Sequence, residues 1–326
     1  MTLETQAGRA CPLHYRYRPA VFASDAPERL SQLDVLYVVG GLYGHEAALQ
    51  RVIDLFERET GRARLVFNGD FHWFDADPAV FARVQQTVLR YDALRGNVET
   101  ELADENANDD AGCGCAYPDW VGDDVVERSN RIHQALRRCT TPEQRRALGA
   151  LPMWLRADVG ALRLGLVHGD AQSLAGWGFA QEHLRDAAHR AQVARWLVEA
   201  QVDAFASTHT CLPVFQQFAA GTAGHGSHTR WVLNNGAAGM PNFQGDAAGL
   251  ITRVALSPFS GPERRFGVTE RGVYIDAIAI DTDPAAWQRQ FEQRWPEGSD
   301  AHASYFNRIQ DGPAYRPHEA VRFKEN

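Results

Sequence analysis

The chain has 326 residues, 44% of them hydrophobic and 23% charged, with a formal net charge of −8, the balance of a globular protein with ample material for a core. Eight acidic residues and no Lys or Arg fall between positions 101 and 124, so the rest of the chain is near neutral and offers no basic stripe for nucleic-acid phosphates. No apolar run approaches the roughly 18 residues that span a bilayer. The N-terminus carries Glu4 and Arg9 with no signal core behind them, and five scattered cysteines suit a reducing cytosol better than a disulfide framework; the expectation is a cytoplasmic protein with neither a membrane nor a nucleic-acid partner.

In chain order, Pro12, Pro19 and Pro27 punctuate residues 1–32, which read as an N-terminal arm. A first strand over 33–39 ends in Gly40-Gly41-Leu42-Tyr43-Gly44, where glycine permits positive φ or close backbone approach. Leu49, Val52, Ile53 and Phe56 then recur at helical spacing. A short apolar strand follows in Leu65-Val66-Phe67-Asn68-Gly69-Asp70. Asp77-Pro78 reads as N-cap and first-turn proline of a second helix, with Phe81, Val84 and Val88 as its buried stripe. Strand–helix–strand–helix predicts parallel pairing and an α/β fold.

Residues 100–121 read as an acidic insertion carrying Cys113-Gly114-Cys115. Two thiols at that spacing suit a soft metal or a redox pair, but with no second cysteine pair or nearby histidine to complete a zinc set, a loop with two incidental thiols is the simpler reading. A helix is predicted over 123–138, acidic at its start and closed by Arg137-Arg138, as the helix dipole prefers. Another starts at Thr141-Pro142-Glu143. Further strands are predicted over 161–168, 202–208, 213–218, 231–233, 250–256 and 273–280. Helices are predicted over 189–201 and 287–295, and the last thirty residues read as a polar surface tail. With no repeat and no obvious linker, the division is an arm over 1–32, one main domain over 33–282, and a C-terminal helix and tail over 283–326.

Four predicted strands end in residues that can donate to a metal: Asp70, Asn97, His168 and His209. In open α/β sheets ligands bind at the carboxyl ends of strands, and one carboxylate, one amide and two imidazoles make a mixed N/O sphere. Alone, each is ordinary turn or capping chemistry.

At these positions the sequence resembles the calcineurin-like metallophosphoesterases, over most of residues 33–260. Gly69-Asp70 looks like the family's G-D motif, Gly96-Asn97-Val98-Glu99 is similar to G-N-H-E, His168-Gly169 fits the later strand-ending histidine, and Thr208-His209-Thr210-Cys211-Leu212-Pro213 aligns with G-H-T-H-x-P. The resemblance implies a four-layer α/β/β/α sandwich around two metals, and a small phosphorylated substrate. The departures are specific. The family's first motif, S-D-x-H-G-N, here reads Gly40-Gly41-Leu42-Tyr43-Gly44-His45, so Gly41 and Tyr43 stand where a metal-binding Asp and a His are expected. Cys211 replaces the last histidine of G-H-T-H, and Val98 replaces the histidine that assists the leaving group. Carried over position by position, one metal site keeps only Asp70 and at most Cys211, while the other keeps Asp70, Asn97, His168 and His209. One divalent transition metal, Zn, Fe or Mn, is therefore expected rather than two.

A proton donor in place of Val98 would have to come from His45, His72 or Asp170, each beside a motif residue. Three functions follow: a metal-dependent phosphoric ester hydrolase with an altered, mononuclear site; a catalytically silent binding or regulatory protein on the same scaffold; or hydrolytic or redox chemistry using Cys113, Cys115 and Cys211.

Overall fold

The structure, a computed structural model, describes residues 12–24, 29–105, 112–219 and 229–323. The first eleven residues of the predicted arm, positions 106–111 of the predicted insertion and the last three residues lie outside them. The chain runs β1 (Arg29–Leu33), β2 (Val35–Val39), α1 (Glu46–Phe56), β3 (Ala63–Asn68), α2 (Pro78–Val88), β4 (Asp92–Leu94), α3 (Asn97–Ala103), α4 (Asp123–Arg138), α5 (Pro142–Gly149), β5 (Trp154–Val159) and β6 (Leu162–Val167). It continues through α6 (Ala187–Glu199), β7 (Ala204–Ser207), β8 (Val214–Phe218), β9 (Arg230–Asn234), β10 (Gly249–Ala255), β11 (Arg264–Glu270), β12 (Val273–Ile280), α7 (Pro284–Arg294), α8 (Asp300–Asp311) and β13 (Val321–Arg322).

These strands form two sheets, one of six strands in the order β11-β12-β10-β2-β3-β4 and one of seven in the order β1-β5-β6-β7-β9-β8-β13. The pairs β2·β3 and β3·β4 are parallel in the first sheet and β6·β7 in the second, each joined through a helix as parallel neighbours require, and β7·β9, joined through β8, is parallel as well. Side-chain alternation makes the layers. Leu36 and Val38 of β2 and Val66 of β3 meet Leu164, Leu166, Ala204 and Ala206 in a core between the sheets. The other faces, Tyr37, Val39 and Phe67 on one sheet, pack against α1, α2 and α7. Phe205 and Val232 on the other pack against α6 through Val193, Trp196 and Leu197. The result is the expected helix–sheet–sheet–helix sandwich, with strands buried on both faces.

The elements that orient the site are locally well determined. Asp77 caps α2 through Oδ1 on Ala79 and Val80 N–H, at 2.9 Å each, and Thr141 and Gln144 form a capping box on α5. One difference concerns the first strand. The predicted 33–39 is two strands, because the chain leaves the seven-stranded sheet at Leu33 and enters the six-stranded one at Val35. The end of the stretch read as an arm, residues 29–32, thus belongs with Leu33 to an edge strand paired with β5. The predicted tail holds α8, whose Tyr305, Phe306 and Ile309 pack on the core. Among the described residues no helix is long and apolar enough to cross a membrane.

His45 caps α1: its Nδ1 accepts from Ala48 N–H at 3.3 Å, and its ring stacks on Trp287 of α7 with centroids 3.9 Å apart. Burial, reinforced by Arg294, lowers its imidazole to about 3. Above about pH 6.5 the ring is neutral whether the chain is folded or not; between about 6.5 and 3 the unfolded chain takes up a proton that the folded one refuses. Stability should therefore fall on acidification through that window, by up to about 1.4 kcal/mol per pH unit from this group. Thermal midpoints measured from pH 7 to pH 4 should fall less steeply in His45→Asn, which keeps a capping oxygen but cannot titrate; equal slopes in the two proteins would contradict this.

Candidate metal centre

Asp70, Asn97, His168 and His209 come together where the tips of β3, β4, β6 and β7 meet. The ligand atoms of Asp70, His168 and His209 lie within 4.8 Å of one another, and all three residues are buried. His168 Nε2 is 3.2 Å from an Asp70 carboxylate oxygen, 3.2 Å from Asn97 Oδ1 and 3.1 Å from His209 Nδ1. Two close approaches make this convergence possible. Gly69 has φ of +77°, and a Cβ there would sit 2.5 Å from Gly96 N; a Cβ on Gly96 would sit 2.2 Å from Asp70 Oδ1. Glycine at both positions lets the β3 and β4 tips touch, and the buried Asn68 side chain ties β3 across to the other sheet, donating to the Val167 carbonyl at 2.7 Å.

The opposite end of each donor is committed to backbone or sulfur. His168 Nδ1 lies 2.9 Å from the Asn68 carbonyl oxygen, which can only accept, so in the neutral ring that nitrogen carries the proton and Nε2 presents a lone pair to the cluster. His209 Nε2 lies 3.1 Å from the Cys115 carbonyl oxygen, so Nδ1 presents its lone pair by the same reasoning. Asn97 Nδ2 donates to the Cys113 carbonyl at 2.8 Å and to Cys115 Sγ at 3.3 Å, which turns Oδ1 inward. Four acceptors face one point, and a cation is the species that satisfies them. Outer partners of this kind fix the tautomer and aim of metal-binding imidazoles. The donor set fits a divalent transition metal.

Electrostatics follow from the same geometry. Burial works against ionisation of Asp70, but His168 and His209 nearby, with the Val98 N–H on its oxygen, hold its carboxyl below the usual range. His168 is raised: burial opposes its charged form, and Asp70 outweighs it. Burial and then His168 lower His209 to about 4. Glu99 lies beneath the site, accepting from Asp70 and Gly96 N–H at 2.8 Å each and from Phe71 N–H at 3.1 Å. Burial, and then the charge of Asp70, raise it to about 7. It ties the β3 and β4 tips together from below.

At the altered first motif, a Cβ on Gly41, whose φ is +64°, would lie 3.0 Å from the Tyr43 ring and its hydroxyl. The Tyr43 hydroxyl is 2.8 Å from Cys211 Sγ. Burial raises both groups, so each keeps its proton. A neutral hydrogen-bonded pair thus stands at the positions where the resemblance puts ligands of a second metal.

The three predicted proton donors are placed elsewhere, and none lines the cavity over the cluster. His45 is the helix cap stacked on Trp287. His72 Nδ1 pairs with Asp75 at 2.6 Å and its ring stacks on Phe81. Asp170 accepts from Gln172, Ser173 and Gly178 N–H at 2.8–3.0 Å, closing the loop after β6. The atoms named here build a helix cap, a His72–Asp75 pair and a loop beside the motif residues, while His72 Nε2 has no hydrogen-bond partner among the described residues. Cys113 and Cys115 are free and buried, with sulfurs 2.7 Å apart. Burial and then Cys113 raise the Cys115 thiol well above its ordinary value, which keeps it protonated and a poor nucleophile. Toward the cluster the Cys113-Gly114-Cys115 stretch contributes mainly backbone, through the carbonyls that orient Asn97 and His209.

Asp70, Asn97 and His209 open into a cavity of about 300 Å³. Trp73, Tyr117, Trp177 and Tyr305 give it aromatic walls, with Val98, Val121, Val125 and Leu212 between them, and Arg308 enters from α8. The α8 residues carry a signal in Ser299 as an N-cap followed by Tyr305, Phe306 and Ile309 at helical spacing, which the average polarity of the segment masks.

No protein-family model matches the sequence, and no curated protein does. Solved structures do. A metallophosphoesterase from Sphaerobacter thermophilus superposes with a TM-score of 0.53 at 16% identity, covering 86% of this chain and 100% of that one. A hypothetical protein from Pyrococcus horikoshii OT3 gives 0.55 at 14%, covering 86% and 99%. With two sheets flanked by helices in the expected order, the chain has the fold of the calcineurin-like metallophosphoesterases.

Proposed function

We propose that this protein is a metal-dependent phosphoric ester hydrolase that works with a single divalent transition metal held by Asp70, Asn97, His168 and His209. The observation that carries the reading is the set of four inward acceptors, three of them with their other polar atom tied by the Asn68, Cys113 and Cys115 carbonyls and Asp70 with its other oxygen held by the Val98 N–H. A bound divalent cation supplies Lewis-acid polarisation of a phosphoryl oxygen and lowers the pKa of water. The rest falls to the chain's own residues. Asp70 contributes the one negative charge of the donor set. The two backbone-anchored imidazoles resist reorientation, and the aromatic walls exclude bulk water. In the reaction the oxygen of water bonds to phosphorus and the bond from phosphorus to the leaving oxygen breaks, its electron pair staying on that oxygen.

Val98 lines the cavity at the position of the family's leaving-group histidine, and it donates no proton. His45, His72 and Asp170 have structural roles in this reading. The chemistry therefore favours a leaving group that departs as a stable anion, and the aromatic walls favour a flat one. An aryl phosphate meets both conditions, as a small phosphorylated substrate that needs no general acid.

In the metal-loaded protein, aryl phosphates should turn over while alkyl phosphates of similar size are slower by about 10²–10⁴-fold, the usual worth of a general acid. His168→Ala should abolish turnover. Comparable rates on both substrate classes would sink the leaving-group argument, and turnover undiminished in His168→Ala would sink the site.

Metal content offers a gain-of-function check on the altered motif. The triple substitution Gly41→Asp, Tyr43→His and Cys211→His should raise bound metal from one ion per chain to two, measured by elemental analysis after removal of free ion. Aspartate tolerates the left-handed backbone at position 41 better than most residues, and Tyr43→His removes the ring that the new Cβ would meet. A folded triple variant that still binds one ion would show that more than these three side chains keeps the second metal out.

A further inference from the structure

We propose that Arg308 is the phosphoryl-binding residue of this site, supplying from α8 the positive charge that a second metal would otherwise bring. The proposal rests on the hydrolase reading for the identity of the ligand.

Three observations converge on Arg308. It is the one Lys or Arg among the described residues that line the cavity over Asp70, Asn97 and His209. Its guanidinium is held on one edge only: Nη2 donates to the Cys211 carbonyl at 2.6 Å and to the Pro241 carbonyl at 3.1 Å, and Nε to Pro241 at 3.2 Å. That leaves Nη1 for a ligand, and among the described residues no carboxylate forms an ion pair with this guanidinium. Its anchor is the altered motif itself, since Cys211 also holds the Tyr43 hydroxyl that stands over Gly41. The residues that fill the second cradle thus also aim a permanent cation into the cavity.

The helix that carries Arg308 is fixed to the wall opposite. Arg131 of α4 pairs with Asp300 at 2.7 Å, and Arg128 donates to Ser304 Oγ at 2.8 Å. A guanidinium positioned before substrate arrives pays little ordering entropy on binding. Its planar donors suit phosphoryl oxygens, over which charge spreads in phosphoryl transfer. Unlike a metal, Arg308 polarises no water, so the division of labour is one ion for activation and one guanidinium for charge.

The test uses the full-length, metal-loaded protein with inorganic phosphate as the probe, by calorimetric titration. Arg308→Gln should weaken phosphate binding about ten- to hundredfold, the usual worth of charge-assisted hydrogen bonds, while bound metal stays at the wild-type level. Phosphate bound as tightly by Arg308→Gln as by wild type, or not bound by wild type at all, overturns the proposal. A second measurement needs no variant: in the unsubstituted protein, phosphate should slow phenylglyoxal modification of Arg308, followed by peptide mass spectrometry, and modification indifferent to saturating phosphate overturns the proposal equally. The two readings fail separately. Arg308-dependent phosphate binding without turnover of any aryl phosphate leaves this inference standing and removes the hydrolase, whereas turnover with phosphate affinity unchanged in Arg308→Gln does the reverse.

Discussion

The structure depends on two imidazoles whose outer nitrogens are committed to backbone carbonyls. Because Asn68 O takes the proton of His168 Nδ1 and Cys115 O takes that of His209 Nε2, the inner nitrogens of the two neutral rings face each other across 3.1 Å with their lone pairs. Two acceptors so placed, with a carboxylate and an amide oxygen beside them, are unfavourable in a buried site unless something positive lies between. The strand ends that create this arrangement belong to both sheets, so the sandwich and the cluster determine each other. Asn68 joins the two roles, its backbone orienting His168 and its side chain bridging to β6 and β7.

The second cradle shows the opposite chemistry. Where the resemblance puts ligands of a second metal stand Tyr43 and Cys211, each neutral and each hydrogen-bonded to the other. Burying a neutral pair costs far less than burying unpaired ligands, which makes it a stable filling rather than a defect. The cavity beside it is aromatic on most sides. An ester bound there would have its leaving group among Trp73, Tyr117, Trp177 and Tyr305 and its charged end toward the buried cluster.

Much of the fold was legible because its signals are local. The helix at Asp123–Arg138 and the strand at Val273–Ile280 match the predicted bounds, the first through its charged ends and the second through an apolar run interrupted only by Asp276. The four strand-tip residues were legible because the right types stood in the right order, and the structure brings those four together. What the sequence concealed is mostly non-local. Nothing in a single stretch reveals that a five-residue edge strand and β2 belong to different sheets, or that the β5–β6 pairing exists. Cys113-Gly114-Cys115 drew attention by its thiols, yet its carbonyls do the orienting, and backbone roles leave no trace in residue type. His45, His72 and Asp170 stand beside motif residues in sequence; in the fold His45 Nδ1 serves a helix cap, His72 Nδ1 pairs with Asp75 and the Asp170 carboxylate closes a loop. Arg308 lay in a segment whose average polarity hid a helical stripe.

The single ion is the claim on which the rest turns. Elemental analysis of protein purified without chelator tests it most directly, read as moles of transition metal per mole of chain. The account requires a value near one that falls toward zero in Asp70→Asn. A value near two would mean that Tyr43 and Cys211 do not close the second cradle, and a value near zero in protein exposed to metal would mean that the four inward acceptors are satisfied by protons instead.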